Sequence, residues 1–168
     1  MELSHQTLNA IRNHRLFRPG QTIIIGLSGG PDSVALTHLL YSINQRCKMN
    51  WRLVIAHLNH QMRGRKSDRD ESFVRKMAAE LNLPIYVSRK NIISLSKTRR
   101  QSLEETARNE RYQFFKNIAQ KLAKKRRAQA ISIAVGHNLD DNAETVLFRI
   151  IRGTGLKGLR GIVIKRQL

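Results

Sequence analysis

The sequence predicts an α/β domain of three layers, α/β/α, around a mostly parallel sheet. Four short apolar runs read as strands, the segments between them carry apolar residues at helical spacing, and glycine-bearing turns follow strand ends. At 168 residues the chain is one domain's worth, 1–168, and long enough to bury a core.

Met1 to Arg18 reads as an opening helix with Leu8, Ile11 and Leu16 turned inward, stopped by Pro19-Gly20. Ile23 to Ile25 are β-branched and too short a run for a helix, so they form a strand buried on both faces. Ser28-Gly29-Gly30-Pro31-Asp32-Ser33 follows. Its glycines can take positive φ and bring backbone amides close to a ligand, and Pro-Asp-Ser suits the opening of a helix. Val34, Ala35, Leu36, Leu39, Leu40 and Ile43 supply that helix's apolar face. A strand, a glycine turn and a helix N-terminus present free N–H groups and the positive end of a dipole, which suit phosphate; an ordinary strand-to-helix turn is the alternative. At this turn neither GxxxxGK[ST] nor GxGxxG is present, and no lysine follows the glycines.

Trp51 to His57 reads as a second strand, parallel to the first because a helix separates them. His57-Leu-Asn-His-Gln-Met-Arg-Gly64 then lies beyond the carboxyl ends of the strands, where open α/β sheets bind ligands. His57 and His60 have no third metal ligand placed near them, so hydrogen bonding or packing around a nucleotide is expected instead. Ser67 and Asp70 read as a capping box for a helix whose core face is Phe73, Val74, Met77, Ala78 and Leu81. Pro84 to Ser88 is the third strand, and Arg89 to Gln101, polar and basic without periodicity, a long loop on the ligand side. Ser102 and Glu105 form a second capping box, opening a long helix through Ala107, Arg111, Phe114, Phe115, Ile118 and Leu122.

Ala130 to His137 is the fourth strand, and Ala143, Val146, Leu147, Ile150 and Ile151 mark a further amphipathic helix ending at Gly153. Asp140, Asp141 and Glu144 fall on its first turn, where acids suit the helix dipole alone. Three together, in a chain with few acids, are a candidate Mg²⁺ site beside phosphates, and a spacing of three puts Asp141 and Glu144 on one side of the helix.

Charge narrows the partners. Thirty-one Lys plus Arg against 12 Asp plus Glu leave +19, a field that attracts polyanions, so nucleic acid is the first partner to consider. Arg63, Arg99, Arg100, Lys124, Lys125, Arg152 and Lys157 are the expected RNA-facing cations, although the run Lys121 to Arg127 also suits a helix C-terminus. The single cysteine, Cys47, excludes an intrachain disulfide, a Cys-x-x-Cys zinc site and a cysteine-held iron–sulfur cluster. No run approaches a membrane span or a secretory signal, so no membrane partner is expected and a cytoplasmic compartment fits.

The string SGGPDS after a strand resembles the PP-loop of ATP pyrophosphatases, whose fold is Rossmann-like and of the adenine nucleotide alpha hydrolase type. Within that superfamily HLNHQMRG resembles the HxNHxxRG segment of tRNA(Ile)-lysidine synthases, SLEETARNERY their SxEExARxxRY, and GHNLDDNAETVLFRIIRGTGLKGLRGI their AHHxDDQAETVLxRLxRGxGxxGLxG. The resemblance covers most of residues 21–162 and is to the N-terminal catalytic domain. It implies ATP, with Mg²⁺, adenylating the ring carbonyl of the wobble cytidine in a CAU-anticodon isoleucine tRNA, after which free lysine displaces AMP. Ser28, Gly29, Gly30, Pro31, Asp32, Ser33, His57 and His60 would then contact ATP. Asp32, Arg108, Asp141 and Glu144 would be catalytic: Arg108 reaches the phosphates, Asp141 and Glu144 hold Mg²⁺, and Asp32 orients or deprotonates the lysine amine unless it is only a helix cap. Asp140 would support them.

Family members continue into C-terminal domains that grip tRNA, whereas this sequence stops at Leu168. A compact form, plastid-encoded and working in the stroma, a fragment, or a catalytically silent RNA-binding module are the readings this leaves, with homo-oligomerisation open. A tRNA thiolase of the cysteine-based type lacks its cysteines here.

Overall fold

A computed structural model of the chain describes residues 3–125, 130–136 and 147. The chain divides into two units, Met1–Val135 and Gly136–Leu168. The first holds α1 (Leu3–Asn13), β1 (Thr22–Gly26), α2 (Pro31–Arg46), β2 (Arg52–Asn59), α3 (Arg65–Glu80), β3 (Ile85–Arg89), α4 (Ile92–Arg99), α5 (Leu103–Lys125) and β4 (Ile131–Val135). The expected last helix, with Asp140, Asp141, Glu144, Arg152 and Lys157, lies outside the described residues.

The four strands form one all-parallel sheet in the order β3-β2-β1-β4. β1 is central, and its isoleucines divide between two cores as the alternation of a strand requires. Ile23 and Ile25 join Leu53 beneath Ile11, Leu40 and Ile43 of α1 and α2, while Ile24 joins Val54 and Ala56 beneath Phe115, Ile118 and Leu122 of α5. Val74, Met77 and Ala78 of α3 pack on Leu27 and Ile55. Ile55 shares a sheet face with Leu53, so α3 lies on the α2 side. The three layers expected from the sequence are therefore present.

Strands are added from β1 to β3 in one direction, and then α4 and α5 return the chain to the other side of β1. That reversal makes a topological switch point at the carboxyl ends of β1 and β4, the position where such sheets bind ligands. Gly26 is level with Ala56 and Val135 there. A Cβ on Gly26 would stand 2.7 Å from the Phe115 ring and 3.1 Å from Val135 Cγ1, so only glycine lets α5 approach the sheet this closely.

Five local expectations are corrected in whole or in part. The opening helix stops at Asn13 because Arg15 takes φ +47 and the Leu16 amide turns back to the Ile11 carbonyl, before Pro19 is reached. Arg89 to Gln101 is not a loop: Asn91 caps α4 by accepting from the Ser94 amide, and Arg100 in the left-handed region ends it. α3 begins two residues before Ser67, after Gly64 at φ +50, so Ser67 and Asp70 form no capping box; the Ser67 hydroxyl accepts from the Arg63 amide instead. On that helix Phe73 is 47% exposed, and Glu71 takes the inward position. The second capping box is half realised, with the Ser102 hydroxyl accepting from the Glu105 amide at 3.1 Å.

Candidate functional site

At the carboxyl end of β1 the chain enters the Ser28–Ser33 loop, which braces itself through two hydroxyls. Ser33 Oγ donates to the Gly30 carbonyl at 2.8 Å and accepts from the Ser28 amide at 3.2 Å. The Ser28 hydroxyl, 3.0 Å from it, then donates to Ser33 Oγ and accepts from the Gly30 amide at 3.3 Å. Gly29 makes the turn at φ +96, a conformation that a side chain would strain. Gly30 precedes α2 as its N-cap without a side-chain cap, and Pro31 fills the first position, so the positive end of the α2 dipole faces the loop. Asp32 is in that first turn, inside the helix and not at its cap.

The end of β2 is tied to the chain just before the loop. His57 is buried, and its Nδ1 lies 2.8 Å from the Leu27 carbonyl, which can only accept; Nδ1 therefore carries the proton, and Nε2 has no partner among the described residues. His57 thus ties the end of β2 to the residue that leads into the loop. His60 sits under the Arg111 guanidinium, with Arg111 Nη2 3.4 Å from His60 Nε2. Burial first, then the Arg111 and His57 charges, hold His60 down to about 4 from the usual 6.5. Its ring is accordingly neutral at pH 7.

Between the two histidines Asn59 is buried at the strand end and acts as a fastener. Its amide donates to Glu71 Oε2 at 3.0 Å, Asp68 Oδ1 at 3.2 Å and the Ser67 carbonyl at 3.3 Å, and its oxygen accepts from the Gln61 amide at 2.9 Å. The Glu71 side chain is only 3% exposed and receives two N–H groups from Arg89, at 2.8 and 3.1 Å, and two from Arg75, at 3.0 and 3.1 Å. The Arg89 bonds, opposed by burial and helped by Asn59 and Arg75, draw the Glu71 carboxyl from 4.5 down to about 2. One residue earlier on α3, Asp70 meets Gly29: a Cβ on that glycine would be 3.4 Å from Asp70 Cβ and 3.7 Å from its Cγ.

The structure thus gathers Ser28, Gly29, Gly30, Pro31, Asp32, Ser33, His57 and His60 at one edge of the sheet. Arg108 is exposed on α5, its guanidinium 5.9 Å from the centre of the Tyr112 ring. Arg111, which the periodicity reads as one more core position, is the α5 arginine that faces the β2 segment. Among the expected RNA-facing cations, Arg63 is exposed just before α3, and Arg100 is exposed at the end of α4. Arg99 instead donates to Glu110 at 2.8 Å, where Lys90 also pairs. Lys124 lies near the far end of α5, about 20 Å along the helix from Glu110 at 1.5 Å per residue; Lys125 closes the same helix. Sequence reasoning missed Asn59, Asp70, Glu71 and Arg111. Asn59 stood inside HLNH, but Glu71 carried no signal, because one of its partners, Arg89, comes from another strand.

The profile of the PP-loop domain family, an ATP-binding family, matches residues 2–168. Among curated proteins the chain is similar to the tRNA(Ile)-lysidine synthase of Clostridioides difficile, 43% identical over 94% of this chain and 32% of that protein. It is similar also to the one from Chlorobaculum tepidum, 44% identical over 94% of this chain and 45% of that protein. The chain therefore spans less than half of these relatives' length. Among solved structures it shares the fold of the U34-tRNA thiolase NcsA from Methanococcus maripaludis, which holds a [4Fe-4S] cluster, with a TM-score of 0.61, 22% identity and coverage of 92% of this chain and 52% of that one. Among the described residues no helix is long and apolar enough to cross a membrane.

Proposed function

This chain belongs to the PP-loop domain family, and from that premise we propose that it carries the ATP site of an enzyme that ligates free lysine to the wobble cytidine of a CAU-anticodon isoleucine tRNA. The observation that carries the reading is the register Gly26 to Val135: the phosphate loop leaves β1 beside the point where β4 ends, and Asp140 follows Val135 by five residues in the sequence. The similarity to lysidine synthases over 94% of this chain supports the same substrate class.

In this reading the amides at the start of α2 bind ATP phosphates and stabilise departing pyrophosphate, a task that preorganised donors perform well, while the Ser28 and Ser33 hydroxyls brace the loop that presents them. Arg108 and Arg111 extend from α5 as further cations for that charge. The carboxylates of Asp141 and Glu144 are the hard oxygen donors that Mg²⁺ prefers, and they would hold it, with Asp140 in support. Bound there, Mg²⁺ neutralises charge that develops on the phosphates. Lysine arrives protonated, with a pKa near 10.4 in water, and Asp32 orients its amine or takes the proton. Arg63, Arg99, Arg100, Lys124, Lys125, Arg152 and Lys157 contact the tRNA backbone, and the cytoplasm or the plastid stroma supplies the tRNA.

Asp32→Ala and Glu144→Ala are expected to abolish tRNA-dependent ATP–pyrophosphate exchange while leaving salt-sensitive RNA binding largely intact. The partial span of the relatives favours a second reading, an incomplete RNA-binding module that keeps the fold. No exchange by the unmutated chain, with RNA binding retained, would select it.

A further inference from the structure

Asp70 stands where a carboxylate opposes the ligand. The turn into α2 presents the N-terminal amides of that helix, a seat for an anion, and the second turn of α3 presses Asp70 on Gly29, its Cγ 3.7 Å from where a Cβ would stand. The neighbouring Glu71 is locked to Asn59, Arg75 and Arg89, so α3 is held in that place. Asp70 itself is exposed and forms no ion pair among the described residues. A fixed negative charge beside a bound triphosphate weakens binding by about tenfold or more unless a cation lies between them.

On the reading that this loop binds ATP, we propose that Asp70 makes a cation a condition of nucleotide binding, facing the ATP phosphates across Mg²⁺ or across the ammonium group of lysine. Glu71 is the positioning residue that keeps it there. The sign of the effect separates this role from a structural one: removing the Asp70 charge strengthens binding of cation-free ATP and removes the gain that the cation brings.

The test is calorimetric titration of a non-cleavable ATP analogue into the 168-residue chain under three conditions: with EDTA, with Mg²⁺, and with lysine in the absence of Mg²⁺. Asp70→Asn is isosteric and exposed, so the fold is retained, and Glu80→Gln makes the same charge change at the other end of α3. Asp70→Asn is expected to bind the analogue about tenfold more tightly in EDTA than the wild type does, and to lose about tenfold of the cation's gain, while Glu80→Gln behaves as wild type. The cation that tightens wild-type binding identifies the source. Unchanged affinity of Asp70→Asn in EDTA, or the full gain retained with both cations, overturns the proposal. No binding by the wild type under any condition overturns the ATP reading itself, and the proposal with it; the two failures differ in whether the wild type binds.

Discussion

Glu71→Gln keeps the shape of the side chain that joins β2, β3 and α3 and removes only its charge. The carboxyl lies at about 2 in the fold against an ordinary 4.5. At 1.36 kcal/mol per unit, that difference is worth about 3 kcal/mol of stability at neutral pH. Breaking a buried ion pair commonly costs about 3–5 kcal/mol because a charge is stranded. Here Arg75 and Arg89 are 53% and 60% exposed and can turn to water, so about 2–3 kcal/mol is the expected loss. The folded pKa is depressed, so this stability is fully present above pH 4.5 and disappears as pH falls toward 2. Urea unfolding of both proteins should therefore show the full gap at pH 7 and a gap of about 0.5–1 kcal/mol at pH 3. A gap of equal size at both pH values, or one under about 0.5 kcal/mol at pH 7, would refute the view that charge holds this junction together.

Gly26→Ala should destabilise the fold by about 1–3 kcal/mol, since the new methyl meets the Phe115 ring at 2.7 Å. Adding Phe115→Leu should recover part of that loss in the same urea measurement, and no recovery would place the strain elsewhere. The His60 ring should titrate near 4 in an imidazole NMR experiment, remaining neutral where an exposed histidine is half charged; a midpoint near 6.5 would contradict its burial under Arg111. Because the depressed histidine favours the folded state above its ordinary 6.5, its contribution should fade as pH drops from 6.5 to 4. Arg111→Leu should raise the His60 midpoint only in part, since burial is the larger cause.

The strands were legible because each is a dense apolar run whose burial does not depend on a distant partner. Ile23 to Ile25 needed only β-branching and length, and β3 and β4 lie within two residues of their expected bounds. The Ser28–Ser33 turn was legible for the same reason, since its glycines, proline and serines act on their own neighbours. α4 was not, because eight residues that bury only Ile92 and Ser96 give no periodic stripe. α3 misled because its core face includes a carboxylate. The rule that Glu is outside and Phe inside fails where Arg89, from a strand formed later in the chain, neutralises Glu71 and leaves Phe73 to solvent. Arg111 was hidden in the same way: helical spacing assigned it to the core, and what it meets there is His60, from a turn 51 residues earlier.

Incubating the chain with ATP, Mg²⁺, labelled lysine and an isoleucine tRNA transcript bearing a CAU anticodon, followed by nucleoside analysis, tests the central claim most directly. The account predicts label in a single nucleoside derived from the wobble cytidine, absent when that base is uridine or ATP is omitted. Label that enters regardless of the base, or none while ATP and tRNA both bind, would contradict it.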